Sequence, residues 1–246
     1  VRRVTESGAV DDRPFWQQRG WQLSAAFLVL VLCSGVVTAV ARISGSEVDN
    51  RQRPVAGPLA AGVASGQSRP EGCRTDDADQ DPPRKAPADV KWQNLNGAKV
   101  PLSASAGPVR RSGPVLWCFA HTPLGAVMAA NVIPRHMSGA DWETVTVQQV
   151  VAGTDRDVFV ARRSSMPAVS AQYTASSLAG FMLVEYGPEK ATVRLLIRQA
   201  ATLYVRTDYT VVWDGGDWKL RPYEGGELHS QVTEVAGNGG FVMWTV

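Results

Sequence analysis

Histidine, cysteine and clustered carboxylates are where chemistry would show first, and this chain of 246 residues holds only three histidines and three cysteines. His121 precedes an apolar segment, His136 follows it, and His229 stands near the end, so acid/base work at any of them needs a partner supplied from elsewhere in the chain. A structural or surface role is the expectation for all three. Asp77-x-Asp79-x-Asp81 opens like a calcium loop, but Pro82 replaces the turn glycine and Ala88 the bidentate glutamate. A solvated acidic linker is the better reading. The cysteines, at 33, 73 and 118, lack the close pairing of a zinc module. There is no G-x-x-x-x-G-K-[ST] loop, no G-x-S-x-G elbow, no H-E-x-x-H helix and no strand leading into G-x-G-x-x-G. The expectation is therefore no enzymatic turnover, with no catalytic residue, cofactor or metal.

Two further stretches have chemical potential. In Trp213-Asp214-Gly215-Gly216-Asp217-Trp218, paired tryptophans flanking two acids can hold a sugar; as a hairpin, the same residues pack their rings across the strands and leave Asp214 and Asp217 at the tip, which is the preferred reading. Arg110-Arg111 can attract phosphate or stand as a solvated pair. A formal charge of +2 leaves little electrostatic footprint for nucleic acid, and no direct nucleic-acid partner is expected.

These residues need elements to position them. Trp117 to Ile133 reads as the opening of a folded domain, with Thr122 as cap, Pro123 at the first helical position and an uncharged helix to Ile133 that must be covered on every side. Pro134 should end or kink it. A second helix is expected from about Ala140 to Val151, and a third from Asp155 to about Arg163 with Thr154 as its cap. From Leu178 onward the apolar period becomes two. Phe181–Tyr186, Ala191–Gln199, Leu203–Trp213 and a return from Trp218 then make an antiparallel meander of about four strands, in an α+β arrangement. Trp92 to Pro114 reads as an extended lead-in.

Upstream, residues 1–20 are polar, and Trp21 to Ala41 is uncharged and about as long as a membrane-spanning helix. The flanking arginines favour a cytoplasmic N-terminus. A cleaved signal ending at Ala39-Val40-Ala41, or a lipoprotein signal at Cys33, is the alternative. Residues 42–91 are rich in Pro, Gly and charge and read as a disordered tether, leaving 92–246 as an extracytoplasmic domain. Cys73 and Cys118, the only cysteines outside the apolar run, are expected to form a disulfide there, two free thiols being the alternative.

Taken together, CFAHTPLGAVMAA before the helices and VVWDGGDWKL in the meander resemble uncharacterised bitopic membrane proteins of conjugative elements in high-GC Gram-positive bacteria. Their soluble domain is similar to the nuclear-transport-factor-two-like cone, also used by the inner-membrane scaffold subunit of type IV secretion systems. The resemblance implies three helices on a curved sheet, cell-membrane localisation with a single span, and a scaffold role in conjugative DNA transfer. Its partners would be other envelope subunits and further copies of the chain. Arg194, Arg206, Asp208, Asp214 and Asp217 are the expected interaction surface. A tethered ligand-binding or enzymatic cone domain is the alternative.

Overall fold

Thr122 is extended, and its hydroxyl accepts the Gly125 N–H at 3.0 Å, opening helix α1, Pro123–His136, on a first-turn proline. The protein is seen in a computed structural model that describes residues 57–59, 69–166 and 177–244. From Ala126 to Ile133 every residue of α1 is buried. A Cβ at Gly125 would run into the Ala120 carbonyl, so the glycine admits the entering chain. The expected stop at Pro134 comes late. The helix carries on to His136, because a proline in the last turn removes a single hydrogen bond and little helix remains to be disturbed.

Helix α2, Trp142–Gln149, lies beside α1, and α3, Thr154–Ser164, follows it. Gly153, at φ 147°, caps α3 in place of the expected Thr154, which is already helical. No residue of α3 is fully buried; it holds to the body through Phe159, edge-on to Trp142 at 6.1 Å, and through Arg163 over the same ring.

The lead-in is more ordered than its scattered apolar residues suggest, folding into two antiparallel hairpins. The first joins β1, Lys91–Leu95, to β2, Ala98–Leu102, through Asn96-Gly97, both at positive φ as a tight hairpin turn requires. The second pairs β3, Arg110–Ser112, with β4, Val115–Trp117.

The main sheet contains β5, Ser177–Gly187; β6, Lys190–Arg198; β7, Tyr204–Asp214; β8, Asp217–Arg221; β9, Thr233–Val235; and β10, Val242–Met243. Its order is β10-β5-β6-β7-β8, with β9 on β7. The expectation of a cone around a curved sheet of about four strands is corrected to an α+β fold in which three described helices accompany an open six-stranded sheet. The short segment β9 adds to it because β8 covers only Thr210–Asp214 of β7 and leaves Tyr204–Arg206 to be paired, while β10 pairs the edge of β5 opposite β6. Val193, Leu195, Tyr209, Val211, Trp218 and Leu220 share one core with α1.

The segment expected as a disordered tether is, where described, built into this core. Leu59 is 2% exposed and belongs to the same cluster, its carbonyl taking the buried Lys219 ammonium at 3.3 Å. Gly57 presses so close to Gln148 that a Cβ would collide with the carboxamide. Residues 69–81 are likewise held on the domain through contacts described below, and further along Asp89 accepts from the Ser103 hydroxyl and the Ser105 N–H. The expected span Trp21 to Ala41 and the tail before it lie outside the described residues; among those described, no helix is long and apolar enough to cross a membrane.

Docking of Leu59 predicts that Leu59→Ala destabilises the protein by about 2–5 kcal/mol, as removal of a buried leucine does elsewhere. Urea unfolding measures it, and a loss below about 0.5 kcal/mol, typical of a surface site, would show that the segment is not part of the core.

Candidate functional site

Four pieces of chain meet at the end of the sheet beyond the N-terminus of α1: the segment 69–81, the loop 118–122, the β5–β6 turn and the β7–β8 hairpin. The hairpin arises as its sequence suggests. Trp213 and Trp218 are cross-strand partners, 5.4 Å apart and edge to face, and the Gly215-Gly216 turn takes positive φ. Asp217 is not at a solvated tip, however. It has no exposed surface, and this corrects its place in the expected interaction surface. Its Oδ2 accepts the Cys118 N–H at 2.6 Å, and its Oδ1 accepts those of Phe119 and Trp218, each at 2.9 Å. Burial pushes its pKa up to about 6, against the opposing pull of those three N–H groups and of Arg69.

His121 sits between the pieces. Its ring stacks on Trp213 at 3.8 Å, a ring nitrogen meets the Pro188 carbonyl, and its backbone N–H donates to Asp77 Oδ1 at 2.8 Å. Arg69 lies 5.0 Å over the Trp213 ring, grips both Asp77 oxygens at 2.9 and 2.8 Å, and donates to the Phe119 carbonyl and to Cys73 Sγ. Gln80 donates to the His121 carbonyl and accepts the Tyr186 hydroxyl at 2.8 Å. A disulfide joins Cys73 to Cys118 across 45 positions, with Cα atoms 5.4 Å apart. By the loop-entropy model a closure of this length stabilises by roughly 4 kcal/mol.

The acidic triplet does not converge on one point. Asp77 is taken by Arg69, whereas Asp79 accepts the Asp81 N–H in a local turn. Among the described residues no group of three metal-ligating side chains occurs. Arg110 is tied to the Gly72 carbonyl at 2.6 Å and Arg111 to that of Gly113 at 3.3 Å.

The other expected surface residues are scattered. Arg194 and Asp208 face each other on β6 and β7 and form a two-pronged pair at 2.7 and 2.8 Å. Arg206 lies two residues along β7 from that pair, opposite Leu196. Asp214, exposed, holds the buried Lys219 at 3.1 Å. Arg69, Asp77, Gln80 and Tyr186 were invisible as site residues in the sequence. Arg69 and Asp77 pair locally, but the partners that bring these residues to the site, Phe119, His121 and the Gln80–Tyr186 pair, lie forty or more positions apart in sequence, and only the acidic spacing around Asp77 signalled anything at all.

His136 and Asp217 titrate in opposite senses. His136, 2% exposed, has its pKa lowered to about 4 by burial and by the charge of Arg111. A lowered folded pKa means its contribution is complete above the unfolded value near 6.5 and is lost as pH falls through 4. Asp217, raised from 3.8 to about 6, contributes most below 3.8 and loses that contribution as pH rises through 6. Each shift corresponds to roughly 3 kcal/mol, so between pH 4 and 6 the two largely offset. In urea unfolding, His136→Gln should leave stability falling with pH across this window and Asp217→Asn should leave it rising, around a shallow wild-type profile. Parallel profiles for all three proteins would reject both assignments.

No curated protein and no solved structure matches this chain. The resemblance to conjugative membrane proteins with a transport-factor-like cone is therefore corrected, since the open sheet differs from the cone and no solved structure of that fold matches. With it go the readings that depended on it: the envelope and self-association partners, the conjugative scaffold and its tethered-cone alternative. The single-pass cell-membrane localisation, read from Trp21 to Ala41, is corrected on a separate finding, that no helix among the described residues is long and apolar enough to cross a membrane. One family model does match, over residues 54–243, which takes in Leu59, the disulfide, the clasped end of the sheet and β10, and the chain belongs to that family, described as "Domain of unknown function (DUF8175)".

Proposed function

We propose that the domain acts by binding, without turnover of its own, and that its clasped end offers a rigid set of loops as a contact surface. The observation carrying this reading is that the ionisable groups gathered there are already committed to holding backbone. Asp217 takes three N–H groups, Asp77 takes Arg69 and the His121 N–H, and the His121 ring is stacked and bonded. General acid/base work needs a group free to exchange a proton with a substrate. Here each such exchange would break a contact that closes the fold. The same bracing supports binding, because loops fixed in advance lose little entropy when a partner docks.

The purified full chain, offered chromogenic esters, phosphomonoesters and glycosides, is expected to show no turnover above buffer. His121→Gln and Asp77→Asn should change thermal stability and nothing else in that assay. A turnover present in the wild type and lost in His121→Gln, with folding intact, would overturn the proposal.

A further inference from the structure

The pairing of β6 with β7 runs unbroken from Lys190 opposite Val212 to Arg198 opposite Tyr204, so side chains along both strands alternate between the two faces of the sheet. Val193, Leu195, Tyr209 and Val211 belong to the core shared with α1. That sends Arg194, Leu196 and Arg198 of β6, with Tyr204, Arg206 and Asp208 of β7, to the other face. Two contacts fix this placement: Arg194 on Asp208 at 2.7 and 2.8 Å, and the Arg198 guanidinium 5.6 Å over the Tyr204 ring. Arg206 lies between them. Directly opposite it is Leu196, which has no exposed surface. The diagonal positions on either side are Arg194 and Arg198, about 7–8 Å away across a pleated pair. Side chains of arginine length span that gap.

Three guanidinium groups thus share one small area with a single carboxylate, and that carboxylate is already paired. Asp208 engages only Nε and Nη2 of Arg194, so further N–H groups of that fork remain to donate. Arg206 is half-buried, and among the described residues no hydrogen bond or ion pair reaches it. Arg198 is exposed and rests on the Tyr204 ring alone. The neighbouring strands bring no second acid to the spot. Glu234 of β9 stands opposite Val205 and so on the α1 face, Glu185 of β5 is held by Lys190, and the residue beside Arg206 on β9 is Thr233. Arg221 of β8, opposite Thr210, adds positive charge on the same face. A surface that serves solubility alone intersperses the two signs, whereas here like charges are gathered against their mutual repulsion.

We propose that Arg194, Arg198 and Arg206 form a binding site for the phosphate group of a phosphomonoester. Three arginines against one aspartate leave a surplus of two positive charges, which matches a dianion, and guanidinium forks suit its paired oxygens. Tyr204, half-buried beneath Arg198, offers apolar ring surface to the organic part of the ester. The site stands at the far end of β7 from the Trp213–Trp218 hairpin and does not rest on the role proposed for the clasped end.

The test is a titration of the full chain with phenyl phosphate, at a pH of about 8 where the ester is a dianion and at ionic strength held constant with sodium chloride. Calorimetry and the backbone amide resonances of residues 194–198 and 204–206 follow it. Saturable binding that moves these resonances is expected. Arg206→Gln should weaken it by about tenfold or more, as loss of a charged hydrogen-bonding partner does, and Arg198→Gln several-fold. Arg206→Lys keeps the charge without the fork and should also bind several-fold more weakly than the wild type. Arg84→Gln, which removes an exposed arginine outside the sheet, should bind as the wild type does. Inorganic phosphate should bind more weakly than the ester, and acetate more weakly still. If Arg206→Gln does not fold, Arg198→Gln, at an exposed position, carries the comparison with Arg84→Gln. Absence of saturable binding, resonances that move elsewhere but not on β6 and β7, equal losses in the sheet variants and Arg84→Gln, or tighter binding of acetate or inorganic phosphate than of the ester would overturn the proposal.

Discussion

The buried Asp217 carboxylate is the contact on which the clasped end depends. It joins the start of β8 to the strand-to-helix passage at Cys118 and Phe119, nearly a hundred positions earlier in the chain, by accepting both of their N–H groups as well as that of Trp218. Cys118 sits at φ 70°, a left-handed conformation that a residue with a side chain adopts only when its surroundings enforce it. Charge-assisted acceptance of its N–H on one side and the disulfide on the other supply that enforcement. A carboxylate fully removed from water is costly, and the three N–H donors and Arg69 reduce that cost without cancelling it, as the raised pKa records.

From this point the arrangement of the domain follows. Once the loop 118–122 is placed, Thr122 starts α1, and an apolar helix must then be covered all round. The sheet covers one side. The β1–β2 hairpin, β4 and α2 contribute the rest, while Leu59 fills a place near β8. The segment 69–81 then lies across the end, fixed by Cys73, Arg69, Asp77 and Gln80. None of these contacts is local in sequence. A Pro-rich, charged segment with no apolar period thus becomes ordered through side-chain anchors, without forming a helix or strand of its own.

That is also why the candidate site was only partly legible. The Trp213–Trp218 hairpin announced itself, since strand alternation and a Gly-Gly turn are local signals. The convergence of His121 upon it did not, because stacking against a tryptophan on another element leaves no periodic trace. The cone expectation failed for a related reason. Alternation identifies strands, but curvature and closure depend on where bulges fall and which edges remain unpaired, and β5 carries irregularities near Leu178/Gly180 and Leu183/Glu185 that no pattern of apolar residues reveals.

By itself, the sequence determined the local elements: α1 from its cap, proline and uncharged run, the two later helices within a few residues, and the strands from Ser177 to Arg221 by their period of two. These are properties of neighbouring residues. Tertiary structure alone decided that Asp217 is inside and Asp214 outside although both flank one turn, that Arg194 spends its charge on Asp208, and that Leu59 belongs to the core. Burial and pairing depend on what lies across the chain fold, and the free energy of a charge is set by those distant neighbours rather than by the residues beside it in sequence.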